Sequence, residues 1–174
     1  MSDEQEKGIL FKRKFTVDAS GIDANGHYNN ARYSEDLENS RVALQRAYGI
    51  SDKTLRAQGL ALFITYSTLT YVEELKAGHE VEICTGILSR GTASIYMRQE
   101  MKRKDELVNS GYFELVFVDI NKNNRPISID KAGERIENLQ KLINKLPDIR
   151  SSENQNLPEV KVSRLMRALR RASR

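Results

Sequence analysis

Between residues 60 and 120 the chain reads as four β-strands in succession, and a single long helical stretch precedes them. The strand segments are 60–72, 81–89, 92–103 and 107–120. Arg90-Gly91 and Lys104-Asp105-Glu106 are short breaks of the kind that turn a chain back on itself, so these strands are predicted to pair antiparallel. Another period-two segment, residues 9–17, has apolar side chains at 9, 11, 15 and 17 and is interrupted at Arg13. From 30 to 48, Tyr33, Leu37, Ser40, Leu44 and Ala47 share one helical face, and Gly49 is a suitable stop. This order predicts an α+β domain with the long helix lying on a curved antiparallel sheet.

The rest of the chain divides around that unit. Residues 1–8 read as a frayed terminus, 9–149 as the domain, and 150–174 as a polar linker with a basic amphipathic helix. Residues 51–59 suggest a short capped helical turn. Residues 131–146 predict a second amphipathic helix, with Ile136, Leu139, Leu142, Ile143 and Leu146 on one face and Pro147 as its stop. In the last segment, Val162, Leu165, Met166 and Leu169 form a stripe opposite Arg164, Arg167, Arg171 and Arg174.

Charge locates the basic character of the chain. The net charge is +4, and residues 151–174 carry a surplus of four basic groups, so the remainder balances. The body is therefore no nucleic-acid-binding surface. The tail, 160–174, is suited to packing on its own oligomer, to docking a protein partner or acidic carrier, or to an anionic membrane surface. Cys84 is the single cysteine, which excludes an internal disulfide and fits a reducing cytosol; flanking apolar residues predict a core thiol. The longest apolar run, 60–64, is far too short to span a membrane, and the N-terminus has no secretory apolar region. A cytoplasmic protein is expected.

Reactive groups concentrate in Asp23-Ala24-Asn25-Gly26-His27-Tyr28-Asn29-Asn30, just before the long helix. A carboxylate (Asp23), a carboxamide (Asn25) and an imidazole (His27) alternate around Gly26, and Asn29 or Asn30 is placed to cap the helix. Such groups beside free N–H donors at a helix start are the parts needed to attack and polarise a carbonyl. Asn25-Gly26 is also a common turn dipeptide, and His79 sits in a Gly-His turn that reads as surface. Two histidines without clustered carboxylates predict no metal site, and no glycine-rich phosphate loop is present, so no cofactor is expected.

Residues 22–41 resemble the signature of the hot-dog-fold acyl thioesterases, in which an Asp and a turn precede Gly-His-Val-Asn-Asn, then Tyr, Glu and Arg. The Asp-x-Asn-x-His alternation is particularly similar to that of acyl-ACP thioesterases. More loosely, Arg90-Gly-Thr-Ala-Ser94 resembles the family's central hairpin and Asn124-Arg-Pro-Ile127 its closing turn. The resemblance implies a hot-dog fold and an acyl-CoA or acyl-ACP thioesterase, a homodimer or tetramer with sites shared between subunits. It implies Asp23 as general base or nucleophile, His27 in proton transfer or water orientation, and Asn25 as a positioning group. Asn30, Tyr33, Arg90, Gly91 and Thr92 would contact substrate, while Glu38 and Arg41 would serve the structure.

Departures from the pattern are Gly21, where many relatives carry an acid, Tyr28 in place of Val, the polar Ser34 and Asp36, and His79 where an Asp is frequent. Two other functions compete. A related hydratase or dehydratase resembles Asp-x-Asn-Pro-Ile-His, a longer spacing than the one here. The other is an acyl-thioester-binding protein without turnover, recruited by its basic tail.

Overall fold

The period-two segments form one sheet. In the computed structural model, which describes residues 9–146, the elements in order are β1 (Ile9–Thr16), α1 (Asn30–Ala47), α2 (Asp52–Ala57), β2 (Leu60–Tyr71), β3 (Glu80–Arg90), β4 (Ser94–Arg103), β5 (Glu106–Asp119), β6 (Arg125–Pro126), α3 (Ile129–Arg135) and α4 (Glu137–Ile143). The five long strands pair antiparallel in the order β1-β3-β4-β5-β2, and β6 adds to the end of β5. This is the expected α+β architecture, a curled antiparallel sheet with α1 on its inner face. The segments 1–8 and 150–174, with the expected basic helix, lie outside the described residues.

Turn chemistry sets the register. Lys104 and Asp105 both take positive φ (49° and 69°), and this two-residue turn matches the twist of the strands it joins, so Arg103 pairs with Glu106. The β3–β4 connection closes with the Gly91 N–H donating to the Ser94 carbonyl at 2.7 Å.

Helix α1 is held to the sheet by apolar and polar contacts together. Leu37 and Leu44 are 0% and 1% exposed, and burying each stabilises the fold by about 1.5–3 kcal/mol. Between them lies a buried polar cluster. Gln99 donates through Nε2 to the Leu37 carbonyl (2.9 Å) and Thr85 Oγ1 (2.8 Å), and its Oε1 accepts from Arg41 Nη1 at 2.6 Å. Ser40 Oγ meets Thr85 Oγ1 at 2.9 Å, and the Arg41 guanidinium lies 4.2 Å over the Phe113 ring. No carboxylate among the described residues pairs with Arg41, and burial lowers its pKa to about 10. Thus Arg41 joins the packed face of α1, whereas Ala47 is exposed.

The structure corrects three expectations. The helix expected over 131–146 is two short helices, because Ile136 adopts extended backbone (φ −139°, ψ 107°) between them. Gly133 allows this fold-back, since a side chain there would strike Gln140. Cys84 is not in the core: period-two alternation points Val81 and Ile83 inward and Cys84 outward, where its thiol meets Glu82 at 3.5 Å. Burial, then Glu82, raises the pKa of that thiol. His79 is half-buried rather than a free surface residue, with contacts to Lys76 and Arg103. Arg13, which broke the apolar alternation, does face inward, where Asp36 of α1 lies 3.7 Å away.

Candidate active site

The Asp/Asn/His segment folds as a small closed hairpin leading into α1. Ile22 bridges Tyr28, the Asp23 N–H donates to the His27 carbonyl (2.9 Å), and the Gly26 N–H donates to the Asp23 carbonyl (3.0 Å). Gly26 takes φ +81°, a conformation that a side chain at the tip would resist. Asp23 Oδ1 accepts two backbone N–H groups, from Asn25 at 2.8 Å and His27 at 3.2 Å. The carboxylate is thereby fixed in the loop, and its other oxygen, Oδ2, has no partner among the described residues.

At the end of the hairpin, Asn29 caps α1 by accepting the Ala31 N–H at 2.9 Å. The Asn30 N–H is one of the open donors of the first turn. Asp23 is half-exposed and both Asn25 and His27 are exposed. The hairpin therefore presents its polar side chains to solvent beside a helix start.

A residue not singled out from the sequence completes this group. Glu74, in the connection between β2 and β3, places Oε2 at 2.7 Å from His27 Nε2 and Oε1 at 3.2 Å from Lys76 Nζ. The Lys76 hydrogen bond, helped by His27, holds the Glu74 carboxyl below the usual range. No local spacing reveals this pairing. The Tyr28 N–H donates to the Leu75 carbonyl at 2.9 Å, and that backbone contact lays the β2–β3 connection against the hairpin.

Residues 17–152 match the family model described as the thioesterase-like superfamily. The chain belongs to this superfamily. No curated protein matches it significantly in sequence. Among solved structures, it is similar to a hypothetical protein of Staphylococcus aureus in complex with CoA, at 18% identity and a TM-score of 0.69, over 86% of this chain and 94% of that one. It is also similar to the S. aureus DHNA-CoA thioesterase (18% identity, TM-score 0.65, 80% and 97% covered). A third is the 1,4-dihydroxy-2-naphthoyl-CoA thioesterase of Synechocystis (11% identity, TM-score 0.68, 78% and 96% covered). At these identities the likeness shows a shared hot-dog fold.

Against this superfamily framework, the remaining candidates separate. Tyr33 is 3% exposed and forms the middle of an aromatic row, edge-on to Tyr28 (5.0 Å) and to Tyr71 (5.2 Å). Burial raises the pKa of the Tyr33 hydroxyl. The Tyr28 ring covers Gly21 and its hydroxyl donates to Asp36 Oδ2, so burial, then Asp36, raises the Tyr28 pKa well above that of an ordinary phenol.

Arg90, Gly91 and Thr92 are not gathered with Asp23 within the chain. They close the far end of β3, where Arg90 Nη1 lies 3.0 Å from Asp130 Oδ1 and the Thr92 carbonyl accepts the Ile129 N–H at 2.8 Å. Among the described residues, no group of three or more His, Cys, Asp or Glu side chains could hold a metal ion. No described helix is long and apolar enough to cross a membrane.

Proposed function

We propose that this protein hydrolyses an acyl thioester of CoA or of an acyl carrier protein. One observation carries the reading: the free Oδ2 of Asp23 and an imidazole held by Glu74 share a hairpin that ends at the open N–H groups of α1. In the scheme, Asp23 removes a proton from water as it attacks the thioester carbonyl, or Oδ2 attacks directly and water then opens the acyl-enzyme anhydride. The carbonyl oxygen gains negative charge at the Asn30 N–H, where the helix dipole favours it. Collapse breaks the C–S bond, and the sulfur leaves as a thiol with a proton relayed through Asp23 or His27.

Glu74 fixes the imidazole. By accepting from Nε2–H it leaves His27 Nδ1 as the nitrogen available to orient water or move a proton. Asn25 serves as the positioning amide. The scheme uses water and side chains, and calls on no cofactor.

The edges of the sheet favour a homodimer. The β1 edge carries Lys12, Arg13 and Lys14, which discourage strand addition. In contrast, β2 has no charged residue along its length, and Phe63, Ile64 and Tyr71 are 43%, 47% and 46% exposed. In the proposed dimer, β2 pairs antiparallel with β2 of a second copy, and its Tyr71 end meets the partner's Leu60 end. That pairing carries the partner subunit's Arg90, the partner subunit's Gly91 and the partner subunit's Thr92 towards Asp23. Tyr33 and Tyr71 then wall the acyl side of the cleft.

The test is thiol release across a panel of acyl-CoA and acyl-carrier-protein thioesters. Release that depends on Asp23 supports the reading. Hydration of an enoyl-CoA without thiol release, or ligand binding without turnover, would move it to one of the competing functions.

A further inference from the structure

The β2–β3 connection that carries Glu74 is pinned by one imidazole. His79 Nδ1 accepts the Lys76 N–H at 3.1 Å, and the His79 N–H returns to the Lys76 carbonyl at 3.1 Å. Gly78 takes φ +81° to close the turn. Two backbone bonds of 2.9 Å, Val17 N–H to the His79 carbonyl and Gly78 N–H to the Val17 carbonyl, fasten it to the chain just after β1. Lys76 then reaches Glu74, and Glu74 reaches His27. A continuous set of contacts thus runs from the His79 ring to the His27 ring.

This use of His79 needs a neutral ring. Nδ1 accepts a hydrogen bond only in the Nε2–H tautomer, and an imidazolium has no acceptor at all. The groups facing it oppose protonation. Arg103 Nη1 lies 3.3 Å and 3.4 Å from the two ring nitrogens. Lys104 on the β4–β5 turn and Lys76 in the β2–β3 connection with His79 add positive charge, against Glu74. Lys14, Glu80, Glu82, Lys102, Asp105 and Glu106 line the groove around it. Burial, then Arg103, Lys76 and Lys104, holds the ring below the usual histidine value of 6.5.

We propose that His79 is a positioning residue that keeps Glu74 against His27 only while its own ring is uncharged. The 72–79 connection is then an acid-sensitive strut of the site; the inference rests on the reading that His27 and Glu74 serve hydrolysis. The sign follows from the depressed folded-state value. Above 6.5 the strut is fully in place, and it is lost as pH falls through the lower value of the folded protein.

The experiment uses the full chain. In a nuclear magnetic resonance titration, the Lys76 amide shift is expected to follow the His79 ring nitrogens, with the two histidines assigned from a His79→Asn variant. In that variant the Asn oxygen accepts the same N–H without titrating. It is expected to retain kcat at neutral pH, and its kcat/KM should fall on the acid side as a single ionisation, where the parent falls more steeply. His79→Leu, with no acceptor, is expected to lower kcat at neutral pH with KM little changed, by up to about 10²-fold, the cost of a roughly 1 Å misplacement, and its difference from the parent should close as pH falls through the His79 ionisation.

A Lys76 amide that ignores His79 ionisation, or a His79→Asn acid limb identical to the parent's, overturns the strut. If the parent releases no thiol, the hydrolase reading fails, and the amide titration still decides whether His79 holds the turn.

Discussion

The Tyr28 hydroxyl donates to Asp36 Oδ2 over 2.5 Å, and the same ring lies across Gly21. Two departures from the family pattern, a missing acid at 21 and a tyrosine at 28, are thus one packing solution. A Cβ at position 21 would come 2.6 Å from Tyr28 Cε2.

It follows that Gly21→Asp overpacks the site. The expected loss is about 1–3 kcal/mol in urea unfolding, the usual cost of added volume in a packed region. Tyr28→Val in the same chain should recover part of it, giving a non-additive double-mutant cycle. Strictly additive effects would show that the two positions do not share space.

Gln99 is the hub between α1 and the sheet, with bonds to Arg41, Leu37 and Thr85. Gln99→Leu leaves the buried Arg41 guanidinium without its acceptor, while the Leu37 carbonyl, inside α1, keeps its helical N–H. Removing one partner of a buried charged group costs about 3 kcal/mol or more, and a loss of that order is expected from denaturant unfolding. A change under about 0.5 kcal/mol, typical of surface sites, would place the helix's anchoring elsewhere.

Much of this fold was legible because its signals are local. The strands, their hairpins and the α1 stripe follow from alternation and turn residues, and Asp23, Asn25 and His27 fall in one loop. Glu74 was not legible, because only the pairing of β2 with β5 and the Tyr28–Leu75 backbone bond carry it to His27. The break at Ile136 was hidden for another reason: Ile136, Leu139, Leu142 and Ile143 are all buried on either side of it, so one continuous stripe reads as one helix. Cys84 was misplaced by its apolar neighbours, although alternation alone would have pointed it outward.

Asp119 and Arg135 lock α3 to the end of the sheet, with Arg135 Nη2 at 2.9 Å from Asp119 Oδ2 and Arg135 Nη1 at 3.2 Å from the Gln58 carbonyl. The Arg135 hydrogen bond holds the Asp119 carboxyl below its ordinary 3.8. Its stabilising effect is therefore present above 3.8 and lost as pH falls through the lower folded-state value. Acid unfolding of Arg135→Ala should begin at higher pH than in the parent. Superimposable acid transitions would contradict this.

The uncharged β2 edge predicts the oligomer. Ile64→Lys places a charge on a strand edge left open in the subunit, where Ile64 is 47% exposed. Sedimentation should show a dimer in the parent and a monomer in the variant, and thiol release should fall with dimer content. A monomeric parent with full activity would remove the shared site.

Asp23→Asn tests the central claim most directly, because the amide keeps an oxygen to accept the Asn25 and His27 N–H groups and removes the base. On the best thioester of the panel, kcat is expected to fall by about 10²–10⁴-fold, the usual contribution of a general base, with an unchanged unfolding midpoint. Parent-like thiol release by Asp23→Asn would contradict the account.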